Sequence, residues 1–245
     1  MAVVLSVSDH GESDKIVTFY SPHFGRMIGI AKGAKRSRRR FVNKLELFSL
    51  LDLMFVDNSR SDLVRVEEAD LVAHFGSLRR HYQRYGAAIL LCELMLAWTR
   101  EHDGNYRLFP LLIWALRSLD HGHDAVWVVA IFYLRLMGIL GYEPRLAGCV
   151  KCNSLRLETR PYAFVPNLGG LACSSCLGIL PASSVSLSLN TVKLLQQAQR
   201  LPLEKLDRLR FSPQSQREAL SFVRSYGSQL LQRDINSWRF LSLFV

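Results

Sequence analysis

The chain has 245 residues, 49% of them apolar and 21% charged, with no low-complexity tract. That composition reads as a chain folded throughout rather than a disordered linker protein, and the length allows one large domain or about two to three small ones with a real core. Thirty-one Lys and Arg against 21 Asp and Glu give a net charge of +10, which points to a polyanionic partner such as nucleic acid or an anionic membrane surface. Met1 to His10 lacks the basic start and long apolar stretch of a signal peptide. The most apolar helical stretch, Ala125 to Leu140, is broken by Arg135 and is shorter than the roughly 20 residues that span a bilayer. With one odd cysteine beside a matched quartet, a reducing cytoplasm is the expected location.

From Val3 to about Val72 the sequence moves in short segments: Val3–Ser8, Lys15–Ser21, Arg26–Lys32, Leu47–Val56 and Leu63–Glu67. Turn residues at Asp9–Asp14, Ser21–Gly25 and Asp57–Asp62 separate them, and Lys15–Tyr20 alternates, so these are predicted strands. A long connection, Gly33–Glu46, precedes the fourth. This is the pattern of a partly open OB-type β-barrel, a fold that commonly binds oligonucleotides on one face.

Beyond residue 73 the period changes to that of helices: Ala87–Glu101, Asn105–Leu119 and Asp124–Leu140, with Gly104 and Gly122 as stops and Asn105 and Asp124 as caps. Ala125–Leu140 is apolar almost all round and belongs at the centre of a core. Cys92, inside the first of these runs, reads as a small buried thiol. Helical spacing returns in Asn190–Leu201 and Pro213–Asp234, the latter capped by Ser212 and carrying Ala219, Phe222, Val223, Tyr226 and Leu230 on one face, which must pack back onto the bundle.

Between these helical stretches stand Cys149-x2-Cys152 and Cys173-x2-Cys176. Two such pairs turn four sulfurs toward one point and fill a tetrahedron, leaving no position for water or substrate, so a structural Zn2+ is expected rather than a catalytic one. A redox dithiol is the rival reading. Metal binding should contribute on the order of 10 kcal/mol of gross folding free energy, as in small zinc peptides. Arg145, Lys151, Arg156 and Arg160 could offset the net negative charge of the tetrathiolate. The chain is therefore read as an α+β multidomain protein: an OB-type barrel over 1–72, an all-α helical bundle over 73–145 and 182–245, and a four-cysteine zinc-binding insert over 146–181.

Lys32, Lys35, Arg36, Arg38, Arg39, Arg40 and Lys44 crowd seven cations into thirteen residues, with Phe41 ending the run of arginines. Such a run also occurs as a solvated loop or a nuclear-type address. Its place between the third and fourth strands of a small barrel favours nucleic acid, with Phe19, Tyr20, Phe24 or Phe41 as possible stacking faces. Arg60, Arg65, Arg79, Arg80, His81 and Arg84 form a second basic group. Enzyme readings fail at the motifs: His10-Gly11-Glu12 lacks the Pro-Cys pairing of zinc deaminases, Gly29–Lys35 lacks the register of a phosphate-binding loop, and His121-Gly122-His123 has no third ligand nearby.

Gly11-Glu12-Ser13-Asp14-Lys15-Ile16-Val17-Thr18, Gly25-Arg26, Ala31-Lys32-Gly33-Ala34, Arg40-Phe41, Leu45-Glu46 and Gly169-Gly170-x2-Cys173-x2-Cys176 resemble the RecO family of bacterial DNA-repair mediators. The resemblance runs from about residue 3 to the last helices. It implies a non-catalytic protein that binds single- and double-stranded DNA, anneals complementary strands and, with RecR, helps load RecA onto strands covered by single-strand-binding protein. It supports DNA contacts from Lys32, Lys35, Arg36, Arg38 and the neighbouring cations, Arg38-Arg39-Arg40 being more basic than the family pattern. It also supports zinc ligation by all four cysteines. Family members bind the acidic, apolar-ended tail of single-strand-binding protein on the helical domain, and no matching residues are identified. An alternative is a zinc-containing adaptor for RNA or acidic protein tails, and a distant third is a hydrolase with dispersed residues.

Overall fold

Five strands at the amino end close on themselves, and in the third every second residue is buried. In the computed structural model, which describes residues 1–57, 63–155, 162–177 and 183–242, they are β1 (Ala2–His10), β2 (Asp14–Ser21), β3 (Gly25–Ala31), β4 (Leu50–Val56) and β5 (Val64–Ala73). The turn residues 58–62, with Arg60, and Arg156, Arg160 and Gly178 lie outside the described residues. The barrel order is β1-β2-β3-β5-β4, antiparallel except for the β3–β5 seam. It is closed rather than partly open, but its seams are short: β1 meets β4 at Ala2↔Leu51 and Val3↔Leu50, and β3 meets β5 at Gly29↔Val64 and Ile30↔Arg65. Val4, Val17, Phe19, Met27, Leu51, Val64 and Val66 fill the interior.

Two strand boundaries differ from the sequence reading. β5 continues beyond Glu67 to Ala73 because its pairing with β4 runs on through Leu53↔Ala69 to Leu50↔Ala73, with Glu68 and Asp70 on the wet side. β4 begins at Leu50, not Leu47, since Phe48 turns the chain through a left-handed φ of 67°.

The chain divides into two compact units, Met1–His121 and Gly122–Val245. The helical stretch read as one block over 73–145 is thus shared between them. The first unit adds α1 (Tyr82–Trp98) and α2 (Leu108–Asp120) to the barrel. Arg26 of β3 donates to Leu96 O at 2.8 Å and pairs with Glu101 at 3.2 Å, tying strand to helix. Gly25 takes φ +69°, and a Cβ there would run into the Asp103 backbone, so this turn tolerates only glycine. Cys92 is buried in α1, and burial pushes its thiol up to about 12. Asn105 does not cap α2 as expected. Its Oδ1 accepts from Arg107 N at 3.0 Å in a turn ahead of the helix. Pro110 has no N–H and is accommodated in the first turn, which holds the helix start at Leu108.

The second unit is built around α3 (Ala125–Ile139), buried on nearly every side as its apolar sequence requires. Asp124 caps it, accepting from Trp127 N at 3.0 Å. β6 (Tyr162–Val165) and β7 (Gly170–Cys173) form a hairpin that leads into α4 (Ser174–Leu177), and β8 (Val185–Ser186) pairs with β6. α5 (Leu189–Arg200), α6 (Leu203–Leu206), α7 (Pro213–Leu231) and α8 (Arg239–Ser242) follow. The charge that interrupts α3 has a use: Arg135 donates to the carbonyls of Ala198 and Gln199, which the end of α5 leaves without helical partners. Ser212 caps α7, accepting from Ser215 N at 3.2 Å, and Ala219, Phe222, Val223 and Tyr226 are buried on its inner face as expected. No helix among the described residues is long and apolar enough to cross a membrane.

α3 and α7 approach so closely at Gly227 that a Cβ there would overlap Tyr133 Oη. Replacing a mid-helix glycine by alanine ordinarily stabilises by about 1 kcal/mol. Here Gly227→Ala is expected to destabilise by roughly 1–3 kcal/mol through overpacking, read by urea unfolding.

Candidate nucleic-acid interface and metal centre

The connection from β3 to β4 contains all seven cations, and its apolar residues decide where they point. Ala34, Phe41 and Leu45 are 7%, 3% and 1% exposed and belong to the barrel core. With these pinned inward, Lys32, Lys35, Arg36, Arg38, Arg39 and Arg40 are left exposed and Lys44 half-buried. Polar bonds set the path between the pins. Lys35 N donates to Ser13 O at 2.9 Å, Phe41 N to Ser37 Oγ at 3.1 Å, and Gly33 N to Asp14 Oδ1 at 2.8 Å. The Gly33 N–H, and after it the Ser13 hydroxyl, hold the Asp14 carboxyl below the usual carboxylate range.

Phe41 is therefore a correction to the sequence reading: its ring is a core anchor, with the Arg40 guanidinium 5.0 Å from its centroid, and not a stacking face. Phe19 and Tyr20 are fully buried as well. Of the four rings considered, Phe24 alone is well exposed, at 52%, and is braced edge-on by Phe55 at 5.3 Å. The cations are not equivalent. Lys35 pairs with Asp9 at 3.1 Å, Arg36 with Glu12 at 3.5 Å and Lys44 with Asp70 at 3.2 Å. Arg40 donates to the carbonyls of Glu67 and Lys32. In the second basic group, Arg79 donates to His74 O and Leu47 O, Arg84 to Ser77 Oγ, and Arg65 pairs with Glu67, so these members serve the fold locally.

In the second unit, a tight turn after Cys149 brings its partner back: Asn153 N donates to Cys149 O at 2.9 Å, with Asn153 at a left-handed φ of 55°. Val150 N donates to Leu171 O at 2.7 Å, which docks this turn on β7, and β7 delivers Cys173 while α4 delivers Cys176. All four Sγ atoms lie within 4.8 Å of one another, Cys152 and Cys173 at 3.8 Å. A tetrathiolate with metal–sulfur bonds near 2.3 Å has edges of about 3.8 Å, so the cluster fits one tetrahedral ion with little adjustment. Burial opposes ionisation of Cys149, but the N–H groups of Cys152, Cys173 and Lys151 outweigh it and bring the thiol down to about 6. Among the described residues no other cluster of His, Cys, Asp or Glu of this kind occurs, so His10, Glu12, His121 and His123 join no metal site; His123 stacks on Trp127 at 5.2 Å.

The outer face of α7 escaped the sequence reading. Arg217, Ser221, Arg224, Ser225 and Ser228 share it and line a groove of about 450 Å³ floored by Leu220 and Trp238. The helical spacing was visible, yet a polar face reads as solvated until Trp238 is seen to turn back under it.

The family model described as Recombination protein O N terminal matches residues 1–75, and that described as Recombination protein O C terminal matches residues 79–239. The DNA repair protein RecO of Syntrophobacter fumaroxidans is 38% identical over 211 residues, 86% of this chain and 83% of that protein. The DNA repair protein RecO of Syntrophus aciditrophicus is 32% identical over 239 residues, 97% of this chain and 92% of that protein. The DNA repair protein RecO of Roseiflexus is 33% identical over 240 residues, 98% of this chain and 83% of that protein. With both halves matched in order and such relatives aligned along almost the whole sequence, the chain belongs to the RecO family of DNA repair proteins.

Proposed function

We propose that this protein binds single- and double-stranded DNA through the β3–β4 loop, anneals complementary strands and, together with RecR, helps load RecA onto strands covered by single-strand-binding protein. The observation that carries the reading is the pinning of Phe41 and Leu45, which turns a cationic segment into a fixed surface of exposed charge. Two DNA strands repel through their phosphates, and cations that screen both backbones lower the barrier to their meeting. No bond is made or broken in that process, and the protein acts as a mediator rather than an enzyme. Phe24 is the ring placed to stack on a base.

The four cysteines would hold Zn2+, which supplies folding free energy and, with four thiolates around it, no open position for chemistry. Thiols kept available for a metal suit the reducing cytoplasm. The α7 groove is the place we assign to the acidic tail of single-strand-binding protein: Arg217 and Arg224 offer charge to carboxylates, and the floor of Leu220 and Trp238 accepts an apolar end.

Lys32→Ala/Arg38→Ala/Arg39→Ala removes the cations that make no side-chain hydrogen bond or ion pair with any described residue. It is expected to weaken oligonucleotide binding, to lower the log–log salt slope by about 2 and to slow annealing, as measured by fluorescence anisotropy and strand-pairing assays. An unchanged slope counts against the loop as the DNA surface. Elemental analysis should find zinc, and Cys149→Ser/Cys152→Ser should lose it and lower Tm by roughly 5–10 °C. Arg217→Glu/Arg224→Glu should weaken binding of an acidic, Phe-terminated peptide about tenfold or more in calorimetry while leaving DNA affinity near that of the parent protein.

A further inference from the structure

Besides Arg40 and Lys44, whose partners Glu67 and Asp70 lie on β5, the loop cations fall into two classes. Lys32, Arg38 and Arg39 make no side-chain hydrogen bond or ion pair with any described residue, whereas Lys35 and Arg36 are engaged by the tip of the β1–β2 hairpin. Asp9 sits 3.1 Å from Lys35 Nζ, which also donates to Gly11 O at 3.3 Å, and Glu12 sits 3.5 Å from Arg36. Backbone geometry enforces the meeting. Lys35 N donates to Ser13 O at 2.9 Å and Gly33 N to Asp14 Oδ1 at 2.8 Å, so the acidic turn and the basic loop are laced together beside these pairs. The acids remain accessible to solvent, with Asp9 65% and Glu12 93% exposed at the side chain.

A phosphate reaching Lys35 or Arg36 therefore meets a carboxylate already there. We propose that Asp9 and Glu12 form an internal counter-anion that competes with DNA phosphates for Lys35 and Arg36, weakening the hold on each strand and speeding its release. This rests on the reading of the loop as the DNA surface and adds how that surface is kept reversible. Two consequences follow from the electrostatics. A cation already paired with a carboxylate brings less net positive charge to the phosphates, so its contact releases fewer of the counterions condensed on DNA and contributes less to the salt dependence. Once displaced, the carboxylates stay beside the phosphates because the hairpin is tied down, and their repulsion favours dissociation. Exposed pairs of this kind are modest, about two- to fivefold in a binding constant.

The test uses the full-length protein, a fluorescein-labelled oligo-dT and the variants Asp9→Asn, Glu12→Gln and their combination. Asp103→Asn serves as control, since it removes one negative charge at the opposite end of β3, where Asp103 lies against Gly25. The double variant is expected to bind roughly five- to tenfold tighter at low salt, to show a salt slope steeper by about one unit, and to release DNA more slowly in stopped-flow displacement. It should also anneal complementary strands more slowly when protein is saturating. Asp103→Asn should stay within about twofold of the parent, and in a Lys35→Ala/Arg36→Ala background the same two substitutions should gain little. A parent protein that binds while the double variant shows unchanged affinity, slope and release overturns this proposal and leaves the DNA-binding loop standing. A gain in Asp103→Asn equal to that of either single variant, or an undiminished gain in the Lys35→Ala/Arg36→Ala background, overturns it too, since net charge alone would then explain the effect. Absence of binding by the parent protein overturns both readings.

Discussion

Burial of Phe41 and Leu45 in the barrel core holds in place a chain segment that would otherwise repel itself into solvent. Seven like charges in thirteen residues disfavour a compact loop, and each cation gathered there raises the potential felt by the next. What opposes this is the transfer of apolar side chains from water, on the order of 1.5–3 kcal/mol for each large one fully buried. The same barrel that supplies the cavity for these anchors supplies the Asp14 carboxylate that fixes the Gly33 amide. Charge display and core packing are thus one arrangement. A loop without the anchors would carry the same net charge but spread it over many conformations, and DNA would have to order it on binding.

The second unit solves a different problem with a similar device. The β6–β7 hairpin has only four residues in each strand and is too small to be stable alone. Phe164 meets Phe222 at 4.5 Å and Tyr226 at 5.1 Å, which seats the hairpin on α7, while the cysteine cluster ties its far end to the turn at Cys149. Between those two attachments the Arg145 backbone bonds across the entry to β7, its N–H donating to Gly169 O and its carbonyl accepting from Leu171 N. A metal bound there would act on the position of a hairpin against a helix, and through it on the α7 face that carries the groove.

Much of this was readable from residue order, and the parts that were not share a cause. The five strands, the Asp124 and Ser212 caps and the cysteine spacing rest on local signals, and each survives in the fold. The closing of the barrel, the continuation of β5 through Glu68 and Asp70, and the pairing of Lys35 with Asp9 are contacts between distant positions, for which the sequence holds no periodic mark. Phe41 shows the ambiguity most clearly. An aromatic residue closing a run of arginines suits base stacking and core anchoring equally, and only the path of the loop over the barrel end decides between them. Asn105 failed as a cap for a local reason that was present in the sequence: Pro110 limits how early the helix can begin.

On the proposed function, the protein has to hold each strand firmly enough to screen its charge and loosely enough to let the duplex leave. Aggregated electrostatic contacts suit that requirement, because each is worth little alone and all weaken together as a partner strand or salt takes over the phosphates. Deep pockets or base-specific hydrogen bonds would concentrate the energy in a few contacts and slow the exit of the product. The loop fits the first pattern: its guanidinium and ammonium groups stand on a rigid support, yet several are shared with carboxylates or carbonyls of the protein itself. Rigidity of the support and weakness of the single contact are then complementary, since a fixed array lets many small attractions act on one backbone at once without any of them having to be strong.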